Sequence, residues 1–261
     1  LWGYRRTLWW LLWRKGPRAW WSFLFVKLFV KEGHGALGWA FAAGMPVLKL
    51  FRRRFIRRPP YPYNLEIEVT TICDKRCVIC EHTYWGSQEE RRNLRFEELQ
   101  TMLGPFPGLK WVDLTGEGDA FLNPDFPKML RWLKQRRVCV YLADSFDRIE
   151  PAVAEELVRM GLDGIYLSMD AATADTYNRI KVGCDFDRVR QNVEHLLQLK
   201  RKYRSPVPEL CFRYVITTEN VHEMPHFVSM VADWQRRYDL GDGSRIEFAG
   251  LLAFPEIQHL F

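Results

Sequence analysis

The chain has 261 residues, of which 48% are hydrophobic and 27% charged, and its formal net charge at pH 7 is +6. This length allows one sizeable domain with an appendage. Three of the six cysteines are clustered and three are isolated. That distribution excludes the disulfide framework of a small secreted protein and indicates a reducing, cytoplasmic compartment. The chain begins with Leu and stops soon after a predicted strand, so we expect part of a longer polypeptide, truncated at its C-terminus.

Residues 1–58 are predicted to form a basic, tryptophan-rich helical region. They contain 13 Lys and Arg against a single acid, Glu32, and seven of the eleven Trp residues. No stretch reaches the ~20 apolar residues that a membrane span needs. Basic aromatic helices suit either packing on the rest of the chain or peripheral contact with anionic lipid at the inner face of the membrane. Nucleic-acid binding is the least favoured of the three alternatives.

A proline-rich linker, Pro59-Pro60-Tyr61-Pro62, marks the predicted boundary with a second region, residues 59–261. Strand patterns and helix patterns alternate beyond it. The predicted strands are 64–70, 110–116, 138–144, 164–170, 209–217 and 245–252. The predicted helices are 95–103, 125–137, 150–160, 172–181, 186–203 and 221–238, with Asp125, Glu150 and Asn220 at expected N-cap positions.

This alternation predicts an α/β fold with a parallel sheet, because successive β/α units join through right-handed crossovers. Six strands are too few for a closed eight-stranded barrel, so we expect an open, partial (β/α)6 TIM-like barrel. Chemistry in such barrels collects at the carboxyl ends of the strands. Polar or cysteine-containing stretches follow the first four predicted strands, which places the candidate site at that edge of the sheet.

The first of these stretches carries Cys73, Cys77 and Cys80 with the spacing C-x3-C-x2-C. Thiolates are soft ligands that select zinc, copper(I) or iron–sulfur clusters. Three cysteines are one short of the usual four ligands. Either the fourth position stays open for another molecule, or His82 completes a structural zinc site. The isolated cysteines, Cys139, Cys184 and Cys211, are predicted to be buried structural thiols.

The cysteine spacing and the stretches that follow it resemble the radical S-adenosylmethionine (SAM) superfamily, over roughly Tyr61 to Leu252. The resemblance implies a [4Fe–4S] cluster on Cys73, Cys77 and Cys80, with SAM bound to the iron that has no protein ligand. Ile79 takes the place of an aromatic residue near the adenine. The glycine-rich TGEGDAFLNPDF resembles the family's Gly-Gly-Glu-Pro turn, which holds the amino group of SAM. Its candidate cofactor-binding residues are Gly116, Glu117, Gly118 and Asp119.

Further site residues follow from the same resemblance. Ser168 and Asp170 match a polar pair that meets SAM, although a strand-end cap is the alternative. Lys181 stands where an arginine often pairs with the SAM carboxylate, and Arg179 is the neighbouring contender. Arg213, in an otherwise apolar strand, is expected either to point out of the sheet or to find an anion. Asp144 stands where many relatives have a Thr-Asn-Gly turn and is a candidate lining residue of the pocket. Independently of the resemblance, His82, Tyr84 and Trp85 directly follow the cysteines and are candidate substrate contacts, with a plain surface position as the alternative.

The resemblance predicts an enzyme that reductively cleaves SAM to a 5′-deoxyadenosyl radical and abstracts hydrogen from an unactivated C–H bond. An electron donor such as flavodoxin or ferredoxin is implied. The basic region 1–58 favours a membrane lipid or another apolar, anionic substrate. A peptide or protein substrate is the second alternative. A zinc- or cluster-bearing binding module without SAM chemistry is the third.

Overall fold

The computed structural model describes residues 64–85, 90–240, 244–252 and 254–261, together with the isolated positions 9, 12, 13, 16, 17, 20 and 62. Almost all of the basic region 1–58 and of the linker 59–62 lies outside the described residues. Their helices, their membrane contact and the domain boundary therefore stay predictions. In the described part of the chain no helix is long and apolar enough to cross a membrane.

The described strands form a single parallel sheet whose order follows the chain. They are β1 (Asn64–Ile67), β2 (Trp111–Leu114), β3 (Cys139–Asp144), β4 (Gly164–Ser168), β5 (Glu209–Ile216) and β6 (Ser244–Gly250). β1 and β6 are the two edges of this sheet. The predicted open, partial barrel of parallel strands is confirmed.

Helices connect the strands, as each parallel crossover requires. They are α1 (His82–Trp85), α2 (Phe96–Leu103), α3 (Phe126–Gln135), α4 (Pro151–Met160), α5 (Ala174–Ile180), α6 (Phe186–Lys202) and α7 (Met224–Tyr238). Within the described ranges, three short 3-10 helices lie at Ala120–Leu122, Val221–Glu223 and Pro255–Leu260. The second of them falls within the predicted helix 221–238. The helix α1 and the other two 3-10 helices were not predicted, because segments this short carry no periodicity to read.

The main hydrophobic core lies between the sheet and the helices. Side chains alternate between the two faces of a strand, and the helix-facing positions are apolar and buried, as with Val140 and Leu142 of β3. The amphipathic α3 meets them with four buried residues at helical spacing, Phe126, Met129, Leu130 and Leu133. Each such side chain contributes about 1.5–3 kcal/mol by leaving water.

The concave face of the sheet carries aromatic and charged side chains instead. Trp111 stacks on Tyr141 with 4.4 Å between ring centroids, and Tyr141 lies 5.5 Å from Tyr166. The guanidinium carbon of Arg213 lies 4.8 Å from the Tyr166 ring centroid. This mixture of aromatic and charged side chains is typical of a binding site and not of a hydrophobic core.

The three predicted N-cap residues occupy cap positions, but none of their side chains caps its own helix. The Asp125 carboxylate accepts the Phe96 N–H at 3.1 Å. The Asn220 amide donates to the carbonyls of Asp170 and Val215, both at 2.8 Å. The predicted cap positions are confirmed, but the side chains of Asp125 and Asn220 bond to distant elements instead of capping their own helices.

Candidate active site

The cysteine loop, residues 71–80, follows β1 at the carboxyl edge of the sheet. Cys73, Cys77 and Cys80 are all half-buried and none forms a disulfide. The backbone N–H of Cys80 donates to the Cys77 carbonyl at 3.1 Å, and the Thr83 hydroxyl donates to the same carbonyl at 2.7 Å. These local bonds bring the last two thiols onto one turn.

The three thiols differ in acidity. A hydrogen bond with Cys184 and the nearby Lys181 ammonium lower the pKa of Cys77 to about 6, although burial acts in the opposite direction. Burial raises the pKa of Cys80 to about 11 and also raises the pKa of Cys73. Of the three thiols predicted to be buried, Cys139 and Cys211 are buried and Cys184 is only half-buried.

The sequence leaves two kinds of metal site open, an iron–sulfur cluster on the three cysteines and a zinc site completed by His82. The Nε2 atom of His82 lies 3.0 Å from the Thr71 carbonyl oxygen, so this ring nitrogen is engaged with the backbone. Across the described ranges, no three His, Cys, Asp or Glu side chains converge tightly enough to hold a single metal ion. Three thiolates suit an iron–sulfur cluster with one iron open to another molecule, whereas a closed zinc site needs a fourth protein ligand.

The glycine-rich turn after β2 packs against the chain at the end of β1. A Cβ atom on Gly118 would lie 2.0 Å from the Thr70 carbonyl oxygen, and a Cβ atom on Gly116 would lie 2.4 Å from the Glu68 carboxylate. The Glu117 N–H donates to that carboxylate at 2.6 Å. Glycine is therefore required for close packing here, and contact of this turn with SAM stays a prediction.

Asp119, in the same turn, is joined to the cysteine loop. Its N–H donates to the Ile72 carbonyl at 2.9 Å, and its carboxylate pairs with the Lys75 ammonium. Both side chains are buried. Burial lowers the pKa of Lys75, but the bond to Asp119 outweighs this and the pKa is raised. Lys75 was missed by the sequence analysis, although its place between two candidate ligands was a usable signal.

Ser168, Asp170 and Lys181 form a hydrogen-bonded triad in which Asp170 and Lys181 are buried and Ser168 is half-buried. The Lys181 ammonium lies 2.6 Å from the Asp170 carboxylate and donates to the Ser168 hydroxyl at 2.6 Å, while that hydroxyl donates to Asp170 at 2.9 Å. The second Asp170 oxygen accepts the Val215 N–H at 2.6 Å. The structure thus brings Lys181 to the pair of Ser168 and Asp170, from which the sequence analysis had named it apart.

The two candidate arginines have partners within the chain. Arg179 is half-exposed and pairs with Asp175 on its own helix. Lys181, and not Arg179, therefore pairs with Asp170. The Arg213 guanidinium lies 2.9 Å from the Glu247 carboxylate. Of the two alternatives for Arg213, the structure therefore shows it paired with an anion, supplied by β6.

The candidate residues around α1 hold the C-terminal segment against the cysteine loop. The Tyr84 hydroxyl donates to the Val78 carbonyl at 3.0 Å, and its ring lies 5.6 Å from that of Phe254. Trp85 packs on Phe254 at 5.3 Å, and Ile79 belongs to the same apolar cluster. Contacts of these side chains with adenine or substrate stay predictions.

Asp144, at the end of β3, is buried near the Lys75–Asp119 pair. Burial, and next the charge of Asp119, raise its pKa to about 7. Its carboxylate accepts the Phe146 N–H at 2.5 Å. A carboxyl group with such a pKa can hold or release a proton at neutral pH.

A buried carboxylate that the sequence analysis missed supports the loop after β4. Glu223 accepts the N–H of Ala172 at 2.7 Å and of Thr173 at 3.1 Å, and the hydroxyls of Thr173 and Thr176, each at 2.6 Å. Because the two segments lie about 50 residues apart, no local pattern identifies this contact.

Comparisons with known proteins agree with this geometry. A family model described as Radical SAM superfamily matches residues 67–231, more than half of the chain. A "tungsten-containing aldehyde ferredoxin oxidoreductase cofactor-modifying protein" of Pyrococcus furiosus is 26% identical over 172 residues, which cover 62% of this chain and 46% of the relative. The "mycofactocin maturase MftC" of Mycolicibacterium smegmatis is 22% identical over 189 residues, 72% of this chain and 46% of the relative.

Solved structures show the same fold. Streptococcus suis SuiB bound to S-adenosylmethionine has a TM-score of 0.60 at 15% identity, covering 95% of this chain and 56% of SuiB. SuiB bound to precursor peptide SuiA has a TM-score of 0.59 at 14% identity, covering 83% of this chain and 53% of SuiB.

The chain spans about half the length of the curated relatives that it matches. The match of the family model confirms the enzyme family, the [4Fe–4S] cluster and the SAM cofactor that the cysteine spacing predicted. The chain belongs to the radical SAM superfamily of enzymes.

Proposed function

We propose that this chain is the catalytic domain of a radical SAM enzyme that abstracts hydrogen from an unactivated C–H bond of a peptide or protein. One observation supports this proposal most directly. Three half-buried thiols, a glycine-rich turn and the triad of Lys181, Asp170 and Ser168 lie at one edge of the sheet. When bound, the cluster and SAM together supply the 5′-deoxyadenosyl radical that takes the hydrogen atom.

The chain's own residues bind and orient these groups. Cys73, Cys77 and Cys80 would hold the cluster as thiolates. The backbone of Gly116–Asp119 and the side chains of Ser168, Asp170 and Lys181 would hold SAM. Lys181 has three N–H donors, and Asp170 and Ser168 engage two of them in this structure. The third is available to a carboxylate.

The concave face supports a polar substrate. In the register of the sheet, Arg213 lies between Ser168 and Glu247, so these three side chains share a row and a face. Arg245 pairs with Glu209 on the same face. An acyl chain laid over these ion pairs would take charged groups out of water and offer them no hydrogen bonds, whereas a peptide backbone offers donors and acceptors to them. The names of the relatives, a maturase and SuiB with precursor peptide SuiA, point to the same substrate class.

The test is anaerobic reconstitution of the chain with iron and sulfide, followed by SAM and a reductant. We expect a brown, four-iron protein that forms 5′-deoxyadenosine, with the flavodoxin or ferredoxin class as the natural electron donor. Supplying deuterated peptide extract should place deuterium in the nucleoside. A colourless wild-type protein that binds zinc and forms no 5′-deoxyadenosine would contradict the proposal. The control with alanine at all three cysteines should assemble no cluster and form no 5′-deoxyadenosine.

A lipid substrate is the second candidate, and the basic, tryptophan-rich composition of residues 1–58 favours it. Under this alternative the enzyme acts at the inner face of the cytoplasmic membrane. Deuterium would then reach the nucleoside from lipid extract and not from peptide extract. Co-sedimentation with anionic vesicles should also require residues 1–58 and weaken with salt.

A further inference from the structure

Arg213, on β5, is the neighbour of Ser168 in the sheet. The register pairs these two residues across β4 and β5, and neighbouring strands lie about 4.8 Å apart. The Met169 N–H donates to the Arg213 carbonyl at 3.1 Å, and Ser168 is hydrogen-bonded to Lys181. A ligand that binds the Arg213 side chain therefore lies next to the residues that we propose hold SAM.

One edge of the Arg213 guanidinium is fixed by partners within the chain. Its Nε and Nη2 atoms lie 3.1 Å and 2.9 Å from the same oxygen, Oε1 of Glu247. The other Glu247 oxygen accepts the Cys211 thiol at 3.4 Å, which orients this carboxylate. The guanidinium carbon lies 4.8 Å from the Tyr166 ring centroid. The plane of the guanidinium is thus set by a carboxylate and an aromatic ring.

The opposite edge of the guanidinium is open. An arginine side chain has five N–H donors in a planar fork, and Glu247 engages only the Nε and Nη2 side of it. Within the described part of the chain, no second carboxylate or carbonyl is bonded to the edge formed by Nη1 and Nη2. The Arg213 side chain is 36% exposed, so this edge is accessible to a molecule on the concave face.

We propose that Arg213 is a specificity-determining residue that binds a carboxylate group of the peptide substrate through its open Nη1–Nη2 edge. This inference rests on the proposed function and names the group by which the substrate is recognised. A carboxylate accepts two parallel N–H bonds from a guanidinium at once, whereas a peptide carbonyl offers a single oxygen. The carboxylate belongs either to an acidic side chain or to the C-terminus of the peptide.

The experiment measures the deuterium that the reconstituted holoprotein transfers from peptide to 5′-deoxyadenosine. The probes are three forms of one deuterated peptide extract: unmodified, methyl-esterified at every carboxylate, and amidated at the C-terminus alone. The variants are Arg213→Met and Arg213→Lys. The matched control is Arg131→Met, which removes an exposed, ion-paired arginine on α3. The half-saturating SAM concentration is measured for each protein.

We expect the wild type to transfer deuterium from the unmodified extract about tenfold or more faster than from the esterified extract, which is the effect of losing a charge-assisted hydrogen bond. Arg213→Met should show no preference between these two extracts. Arg213→Lys keeps the charge without the planar fork and should retain part of the preference, and Arg131→Met should match the wild type. Transfer from the C-terminally amidated extract assigns the carboxylate to an acidic side chain, and its loss assigns the carboxylate to the C-terminus.

Equal transfer from the unmodified and esterified extracts by the wild type would overturn the inference and leave the proposed function standing, and this comparison needs no variant. A full preference for free carboxylates in Arg213→Met would also overturn it. A higher half-saturating SAM concentration in that variant would then show that Arg213 binds the cofactor instead. Failure of the wild type to transfer deuterium from any of the three extracts would remove the proposed function, and this inference with it.

Discussion

The buried Lys181–Asp170 pair allows a quantitative test of the site. Lys181→Met removes the ammonium that lies 2.6 Å from both Asp170 and the Ser168 hydroxyl. Asp170 is fully buried, so the variant leaves a carboxylate without its countercharge. Breaking a buried ion pair from one side costs about 3–5 kcal/mol. Because Asp170 keeps the N–H of Val215 and the Ser168 hydroxyl as donors, we expect the lower end of that range, about 3 kcal/mol.

The assay is reversible unfolding of the iron-free chain by heat and by denaturant. A loss of about 3 kcal/mol corresponds to a fall in Tm of roughly 6–12 °C for a domain of this size. The double variant Asp170→Asn/Lys181→Met should recover more than half of the loss, since a neutral amide leaves no buried charge. The matched control is Lys128→Met, which removes an exposed partner of Asp125 and should cost less than about 1 kcal/mol.

Two results would refute this reasoning. A Lys181→Met variant within about 1 kcal/mol of the wild type would mean that the pair does not stabilise the fold. The double variant could also lose as much stability as Lys181→Met and Asp170→Asn lose separately, added together. That result would show no coupling between the two side chains.

Three further predictions concern other parts of the site. Gly118→Ala should lower the free energy of unfolding by more than about 2 kcal/mol, because its Cβ would lie 2.0 Å from the Thr70 carbonyl oxygen. The control Gly250→Ala, with open space around the added Cβ, should leave the free energy of denaturant unfolding unchanged. Asp144→Asn should remove a loss of stability between about pH 4 and pH 7: with its pKa raised from 3.8 to about 7, the folded chain holds a proton that the unfolded chain releases, so stability falls as the pH rises through that window. The effect is at most about 4 kcal/mol, measured as the difference between variant and wild type at the two pH values. Glu223→Gln should cost about 3 kcal/mol in the same unfolding assay, because it weakens charge-assisted bonds from two N–H groups and two hydroxyls.

Each of these predictions has an opposing result. Equal stabilities for Gly118→Ala and Gly250→Ala would mean that the turn does not press on the chain after β1. Parallel pH profiles for the wild type and Asp144→Asn would contradict a proton held at that carboxyl. A Glu223→Gln variant as stable as the wild type would show that its four donors find other partners at no cost.

The periodic parts of this protein were predictable. Period-2 apolar stretches and amphipathic helices repeat in alternation, and each observed strand lies within or next to its predicted range. The elements that were not predicted are α1 and the 3-10 helices at Ala120–Leu122 and Pro255–Leu260, where only a few residues decide the conformation. The cap positions were predicted, but the bonding partners of the cap side chains were not. Asn220 illustrates the reason: its side chain bonds to Asp170, 50 residues away, and not to its own helix.

The sequence by itself determined the spacing of the three candidate cluster ligands, the order of the strands and the location of the candidate site at the carboxyl edge of the sheet. These features depend on residues close together in the chain and on the handedness of the crossovers. Only the tertiary structure decided which charges meet: Lys75 with Asp119, and Lys181 with Asp170. Side-chain partners from separate loops leave no periodic trace along the chain. Burial then makes each pairing energetically necessary, because a charge or donor removed from water must find its partner within the fold.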